Sequence, residues 1–251
     1  MFNACTSLIK APELPATTLA SYCYEHMFEG CSSLIKAPAL PATTLANQCY
    51  SHMFDNCTSL IKAPALPATK LANQCYYYMF YYCTSLTNVP ALPATTVQTF
   101  CYEYMFSGCT SLTTVPYNLL PATTLAGRCY CNMFYGCTSL TTIPKLPATK
   151  LASSCYEYMF SGCTGLVETP EGWILNAQTT ETNSCYAMFR DCSKLQKIAV
   201  AYSGTITASH WSSFLYNVSK TGTFYYSKNQ TKENIKSIVP SGWTLVQSTE
   251  W

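Results

Sequence analysis

The stretch LANQCYSHMFDNCTSLIKAPAL, Leu45 to Leu66, decides the fold. It recurs with small changes from the first residue to about Ile198, so most of the chain is one short unit used about eight times. The Met-Phe pair fixes the period: it begins at Met1, Met27, Met53, Met79, Met105, Met133, Met159 and Met188, in steps of 26 four times and then 28, 26 and 29. A unit of this length cannot bury its own apolar face and must stack on its neighbours, which is the signature of a solenoid. The longer steps locate two insertions, at Tyr117-Asn118 and between Glu168 and Thr182, both expected to bulge as loops.

Within one unit, Thr43 and Thr44 can cap a helix start with their hydroxyls. Leu45, Cys49 and Met53 follow at i, i+4, i+8, and Ala46, Tyr50 and Phe54 form a second row. Together they make a wide apolar stripe, with Asn47, Gln48, Ser51, His52 and Asp55 outward, and predict a helix of about ten residues. Gly30, Gly108, Gly136 and Gly162, just before the second cysteine, read as helix stops. After Cys-Thr-Ser-Leu comes a short extended piece, Leu60 to Pro67, whose Leu60 and Ala63 belong to columns of core residues. The proline that follows removes a ladder donor, so each strand should be short and end there.

The sixteen cysteines fall into two ladders, one from Cys23 to Cys185 and one from Cys5 to Cys192, with Cys131 alone outside them. Both ladders read as buried free thiols, since a chain that makes a core by stacking does not need a disulfide framework; disulfides in some repeats are the alternative. The eight-residue interval inside a unit is not a zinc spacing, and His26 and His52 lack enough neighbouring ligands, so neither metal nor cofactor is expected.

With 49% apolar and 10% charged residues and a net charge near +2, the chain is neither disordered nor a nucleic-acid binder, and no apolar run reaches membrane-span length. No Ser-His-Asp order, carboxylate pair or phosphate-binding glycine motif appears, which argues against an enzyme. Met1 sits at the motif methionine, so the chain is expected to open partway through a repeat, as a fragment trimmed of its export signal.

Any function then lies in surface columns. Ile9, Ile35 and Ile61, continued by Thr87, Thr113 and Thr141, alternate with the buried strand positions, beside the lysine column Lys10, Lys36 and Lys62. These residues are candidates for a binding face. Tyr78 and Tyr104, in a cluster of outward tyrosines, are candidates for a protein interface or for stacking on sugars. From 201 to 251 the composition changes and reads as a carboxy-terminal cap: Ser203 to Thr207 extended, HWSSFLY a short helix or irregular edge, Gly222 to Tyr226 a strand, Lys232 to Ile238 a helical turn or two, and a final strand after Pro240, with Trp211, Phe214 and Trp243 inside.

The pattern CYxxMFxxCTSLxxxPxLPATxL, with Phe28 to Leu34, Phe54 to Leu60 and Phe80 to Leu86 as its Phe-x-x-Cys-x-x-Leu cores, resembles the BspA-like bacterial surface leucine-rich repeats. The Ala-Leu-Pro-Ala-Thr exit departs from that family's usual Ile-Pro-x-x-Val. The resemblance implies export and a secreted or cell-surface module that recognises or adheres to a host or neighbouring-cell protein, with glycan or mucin binding and a plain spacer as alternatives. The fold expected is an α/β solenoid, a right-handed leucine-rich-repeat coil over 1–200 with short parallel strands on the concave face and short helices on the convex face, capped by 201–251.

Overall fold

A computed structural model gives the fold. It describes residues 1–170, 173, 175–202, 204 and 206–250. The chain is a solenoid whose coils are tied by parallel backbone ladders. The first ladder runs through the predicted strands. Lys10, Lys36, Lys62 and Asn88 bridge in parallel, one bridge per coil. The brevity follows from the proline two residues on, at 12, 38, 64 and 90, which has no N–H to offer. Where Ala199 stands in that place, the strand lengthens to Lys197–Val200 (β3). β3 pairs in parallel with Gly222–Tyr226 (β4), and β4 with Trp243–Gln247 (β5). Between them lie the short helices Ala208–Trp211 (α1) and Lys232–Ile235 (α2).

A second ladder lies where the helix caps were expected. Thr44 bridges Lys70 and Thr96 bridges Thr124, and the two-residue strands Lys150–Leu151 (β1) and Thr179–Thr180 (β2) pair in the same way. Thr43 caps no helix: its carbonyl accepts from the Thr69 and Lys70 amides of the next coil.

The largest departure from the sequence reading follows this ladder. Instead of a helix, residues 47–56 and their equivalents form a run of turns in which amides alternate between two partners. Tyr50, His52 and Phe54 donate across to the carbonyls of Cys75, Tyr77 and Met79 at 2.8–3.1 Å, while Ser51, Met53 and Asp55 donate back three residues at 3.2 Å. Every fourth residue is left-handed: Gln48, His52 and Asn56 have φ of 52–56°, and Gly30, Gly108, Gly136 and Gly162 are the same third position of their coils rather than helix stops. The cause is the apolar spacing. Leu45, Cys49, Met53 and Cys57 recur at a strict four, which drifts about 40° per step around an α-helix but keeps one heading in this wall. Ser51 and Asp55, expected outside, are buried between coils.

Inside the wall the side chains form columns. Phe2, Phe28, Phe54, Phe80, Phe106, Phe134, Phe160 and Phe189 stack in sequence at 5.4–5.7 Å, and Tyr24 through Tyr156 do so at 5.6–6.0 Å. The tyrosine column stops there because the interval from Cys-Tyr to Met-Phe is one residue shorter in the next unit, three residues from Cys185 to Met188 against four from Cys155 to Met159. Tyr156 donates to Ser184, where Tyr130 donates to Cys155, so Ser184 takes the cysteine place, Cys185 the tyrosine place and Ala187 the left-handed one. The wall then continues into the tail, with Cys185, Ala187, Phe189 and Asp191 donating to His210, Ser212, Phe214 and Tyr216. Trp211, Phe214 and Trp243 are buried there; of the Ser203–Thr207 stretch read as extended, Ser203 and Thr205 lie outside the described residues.

The second insertion does not bulge throughout. Trp173 and Leu175 are buried, the Trp173 indole donates to the Pro144 carbonyl at 2.8 Å, and Leu175 bridges Val200. Trp243 repeats the device on the Ser219 carbonyl, again three residues after a proline whose carbonyl takes the tryptophan amide.

Two outcomes test this architecture. Far-ultraviolet circular dichroism of the purified chain should lack the α-helical double minimum that ten-residue helices in every coil would produce. Phe80→Ala, which empties a fully buried place between Phe54 and Phe106, should cost about 3–5 kcal/mol in urea denaturation, a value under about 1 kcal/mol counting against the stacked column.

Candidate functional site

The strand ladder sets the candidate face. Pairing the Lys10, Lys36 and Lys62 backbones in register holds three side chains at strand spacing, roughly 4.8 Å apart at their origins, and each lysine is exposed. None has an ion-pair partner among the described residues, whereas at the far end of the same column Lys197 meets Glu168 at 3.9 Å. One position earlier, Ile9, Ile35 and Ile61 are 61%, 49% and 50% exposed and form an apolar stripe beside the ammonium row. The ladder fixes them: the Ile35 amide donates to the Ile9 carbonyl at 3.2 Å, and the Thr87 amide to that of Ile61 at 3.1 Å. Thr87 and Thr141 turn their hydroxyls back onto the carbonyls of Ile61 and Thr113, at 3.2 and 2.9 Å. Those hydroxyls therefore finish the ladder, so the face is cationic and apolar at one end and quiet where threonine takes over. Shallow grooves of about 450 and 280 Å³ flank it, the first between the Lys10 and Lys36 coils against Pro12, Pro15, Pro38 and Pro41, the second between Lys62 and Asn88.

Tyr78 and Tyr104 are not on this face. They stand at left-handed positions of the turn wall and continue a stacked column from His26 and His52, with centroids 4.6, 4.7 and 4.4 Å apart. Both faces of Tyr78 are covered, by His52 and Tyr104, so no sugar can stack on it. Burial pushes its phenol well above the ordinary tyrosine range.

Beside Tyr104 lies an ion cluster that the sequence did not signal. The Arg128 guanidinium donates to Glu103 Oε1 from Nη2 at 2.5 Å and from Nε at 3.2 Å, and to Glu157 Oε2 at 3.2 Å. Glu103 is almost fully buried. Its burial raises its carboxyl above the usual range, and the Arg128 contacts oppose that rise. The lone Cys131 belongs to this cluster, with Asn132 donating to its sulfur at 3.0 Å. Burial and the two carboxylates hold that thiol protonated.

All sixteen cysteines are free. In the second ladder each buried thiol, from Cys31 to Cys192, points at the phenylalanine carbonyl of the coil before, at 3.0–3.2 Å. Burial pushes Cys49, Cys129, Cys137 and Cys192 up to about 12. No group of three or more His, Cys, Asp or Glu able to hold a metal ion occurs among the described residues, and no helix there is long and apolar enough to cross a membrane.

A repeat solenoid whose variable residues stand in exposed columns on a uniform frame is a binding scaffold. The chain belongs to the BspA type leucine rich repeat region family, which it matches in six copies over residues 1–130, 73–207 and 128–235. Such modules serve structure and recognition. No curated protein matches it.

Two measurements check this chemistry. In the native chain at pH 8 only Cys5 and Cys23, the exposed thiols, should alkylate with iodoacetamide as read by peptide mass spectrometry, and the remainder should react only after unfolding. Arg128→Met leaves Glu103 and Glu157 without their cation and should cost about 3 kcal/mol at neutral pH, the low end for a buried pair because Arg128 is partly exposed. That deficit should shrink as pH falls through the raised Glu103 pKa, since the protonated acid no longer needs the guanidinium. A deficit that stays flat down to acid unfolding would contradict it.

Proposed function

We propose that the chain is a surface-displayed adhesion module that recognises a host or neighbouring-cell protein through the Ile9–Ile35–Ile61 and Lys10–Lys36–Lys62 columns. The observation that carries this reading is the pairing, in register, of three exposed isoleucines with three uncompensated lysines. A solvated face has no use for a continuous apolar stripe, whereas an interface combines an apolar centre with charge that selects and steers the partner. An extended segment bearing apolar side chains and flanking carboxylates is the complementary chemistry. Because the ladder already fixes the backbone of the columns, the ordering cost left to binding is that of the side chains. Recognition of an acidic segment accounts for the lysine row, which a plain spacer leaves unexplained.

The test is surface plasmon resonance of the chain against extracellular-matrix proteins and mucins. The combined change Ile35→Ser, Lys36→Glu, Ile61→Ser, Lys62→Glu should weaken saturable binding at least tenfold, and added salt should weaken the parent's binding through screening of the lysines. Stability should move little, because all four side chains are exposed. Undiminished binding by the fourfold variant would place the interface elsewhere.

A further inference from the structure

The aromatic column of the turn wall has a missing rung. His26, His52, Tyr78 and Tyr104 stack ring on ring through successive coils, and the amide register carries the column on to Asn132 and Tyr158, as Tyr104 donates to Cys131 and Asn132 to Glu157. All six share the left-handed backbone, with φ of 52–56°. At Asn132 a short amide replaces a ring. Asn132 is itself only 5% exposed, and beside it the wall opens into a cavity of about 530 Å³ whose lining includes Tyr104, Asn132, Tyr158, Tyr135, Arg128 and Glu157.

We propose that this gap is a saccharide site that takes one neutral pyranose ring in the place of the absent rung. Tyr104 has Tyr78 stacked on one face and Tyr81 packed edge to face with it at 6.0 Å, and no second ring lies parallel to it among the described residues. Tyr104 and Tyr158 stand two coils apart, roughly 9–10 Å by ladder spacing, which leaves room for one ring between them. The volume falls within the range of small-molecule sites. The polar groups are already fixed: Arg128 by Glu103 and Glu157, and Arg190, which lines the far side, by Asp191 and by its seat over the Tyr216 ring at 4.9 Å. Two guanidiniums and the carboxylates of Glu157 and Asp191 line the cavity together, so it is rich in donors and acceptors yet carries no net charge of its own. That balance selects a neutral polyhydroxylated ligand over a sulfated chain or a basic peptide. A planar aromatic ligand would leave the guanidinium N–H groups and carboxylate lone pairs not used in these pairings unanswered once buried, at a cost the hydroxyls of a sugar avoid. The site lies on a different ladder from the lysine columns and stands or falls independently of the protein-recognition reading.

The experiment is saturation-transfer NMR of the full chain with the methyl pyranosides of glucose, galactose, mannose and N-acetylglucosamine, each alone, and with a sulfated heparin tetrasaccharide as the charged comparison. Transfer to at least one neutral pyranoside is expected. Asn132→Tyr supplies the missing ring in a conformation that Tyr78 and Tyr104 already adopt, and should weaken that binding at least tenfold with Tm unchanged or raised. Tyr104→Ala, which removes the stacking face, is the second variant should the first fold poorly, and should weaken binding to the same extent. The fourfold isoleucine and lysine variant should bind the sugar as the parent does. No transfer from any neutral pyranoside, transfer untouched in both site variants, or a preference for the heparin fragment would overturn the assignment.

Discussion

No coil of this chain can satisfy its own backbone, and the structure follows from that constraint. In the turn wall only half of the amides find a carbonyl inside their own coil; the rest reach the next one, as Tyr50, His52 and Phe54 do. A buried amide without a partner costs roughly 1–3 kcal/mol, so a coil separated from its neighbour would forfeit several bonds as well as the aromatic and aliphatic columns. Order is therefore a property of the stack. The same requirement explains why so many non-glycine residues tolerate a left-handed φ: each turn that strains one residue aims the following amides alternately inward and across.

The cysteines make the same point in side-chain chemistry. A thiol is small enough for the crowded interior beside the Phe column and still brings a weak donor, which each buried Cys of the second ladder sends to a phenylalanine carbonyl one coil back. Alanine and valine bracket it in size, and neither brings a donor. The recurrence of cysteine thus reflects packing and hydrogen bonding, with the thiols kept protonated by burial rather than poised for reaction.

Much of the architecture was legible in the sequence because it is carried by spacing. The period, the core columns at Leu60 and Phe54, the short strands and their termination by proline all follow from the repeated residues alone. The helix did not, because residues at i, i+4 and i+8 satisfy a helical template loosely and the turn wall tightly; the strict four-residue step from Leu45 to Cys57 was the discriminating signal. Two further features escaped for related reasons. Ser184 entered the cysteine column because a one-residue deletion shifted the register while leaving the Cys-Tyr letters in view, and Trp173 looked like part of a loop until its indole found the Pro144 carbonyl. The lysine and isoleucine columns could be read directly from the sequence, whereas the Arg128 cluster and the gap at Asn132 depend on which coil lies over which.

The ladders that bind coil to coil also fix how the molecule bears load. Their hydrogen bonds lie along the direction in which coils stack, so a pull along that direction loads the bonds of one junction at a time instead of shearing many together. Coils then peel in succession, and each of about 26 residues pays out roughly 90 Å of chain as it opens. A module with this grain yields in small steps under tension and re-forms by restacking, since each freed coil finds its template in the coil still seated beneath it.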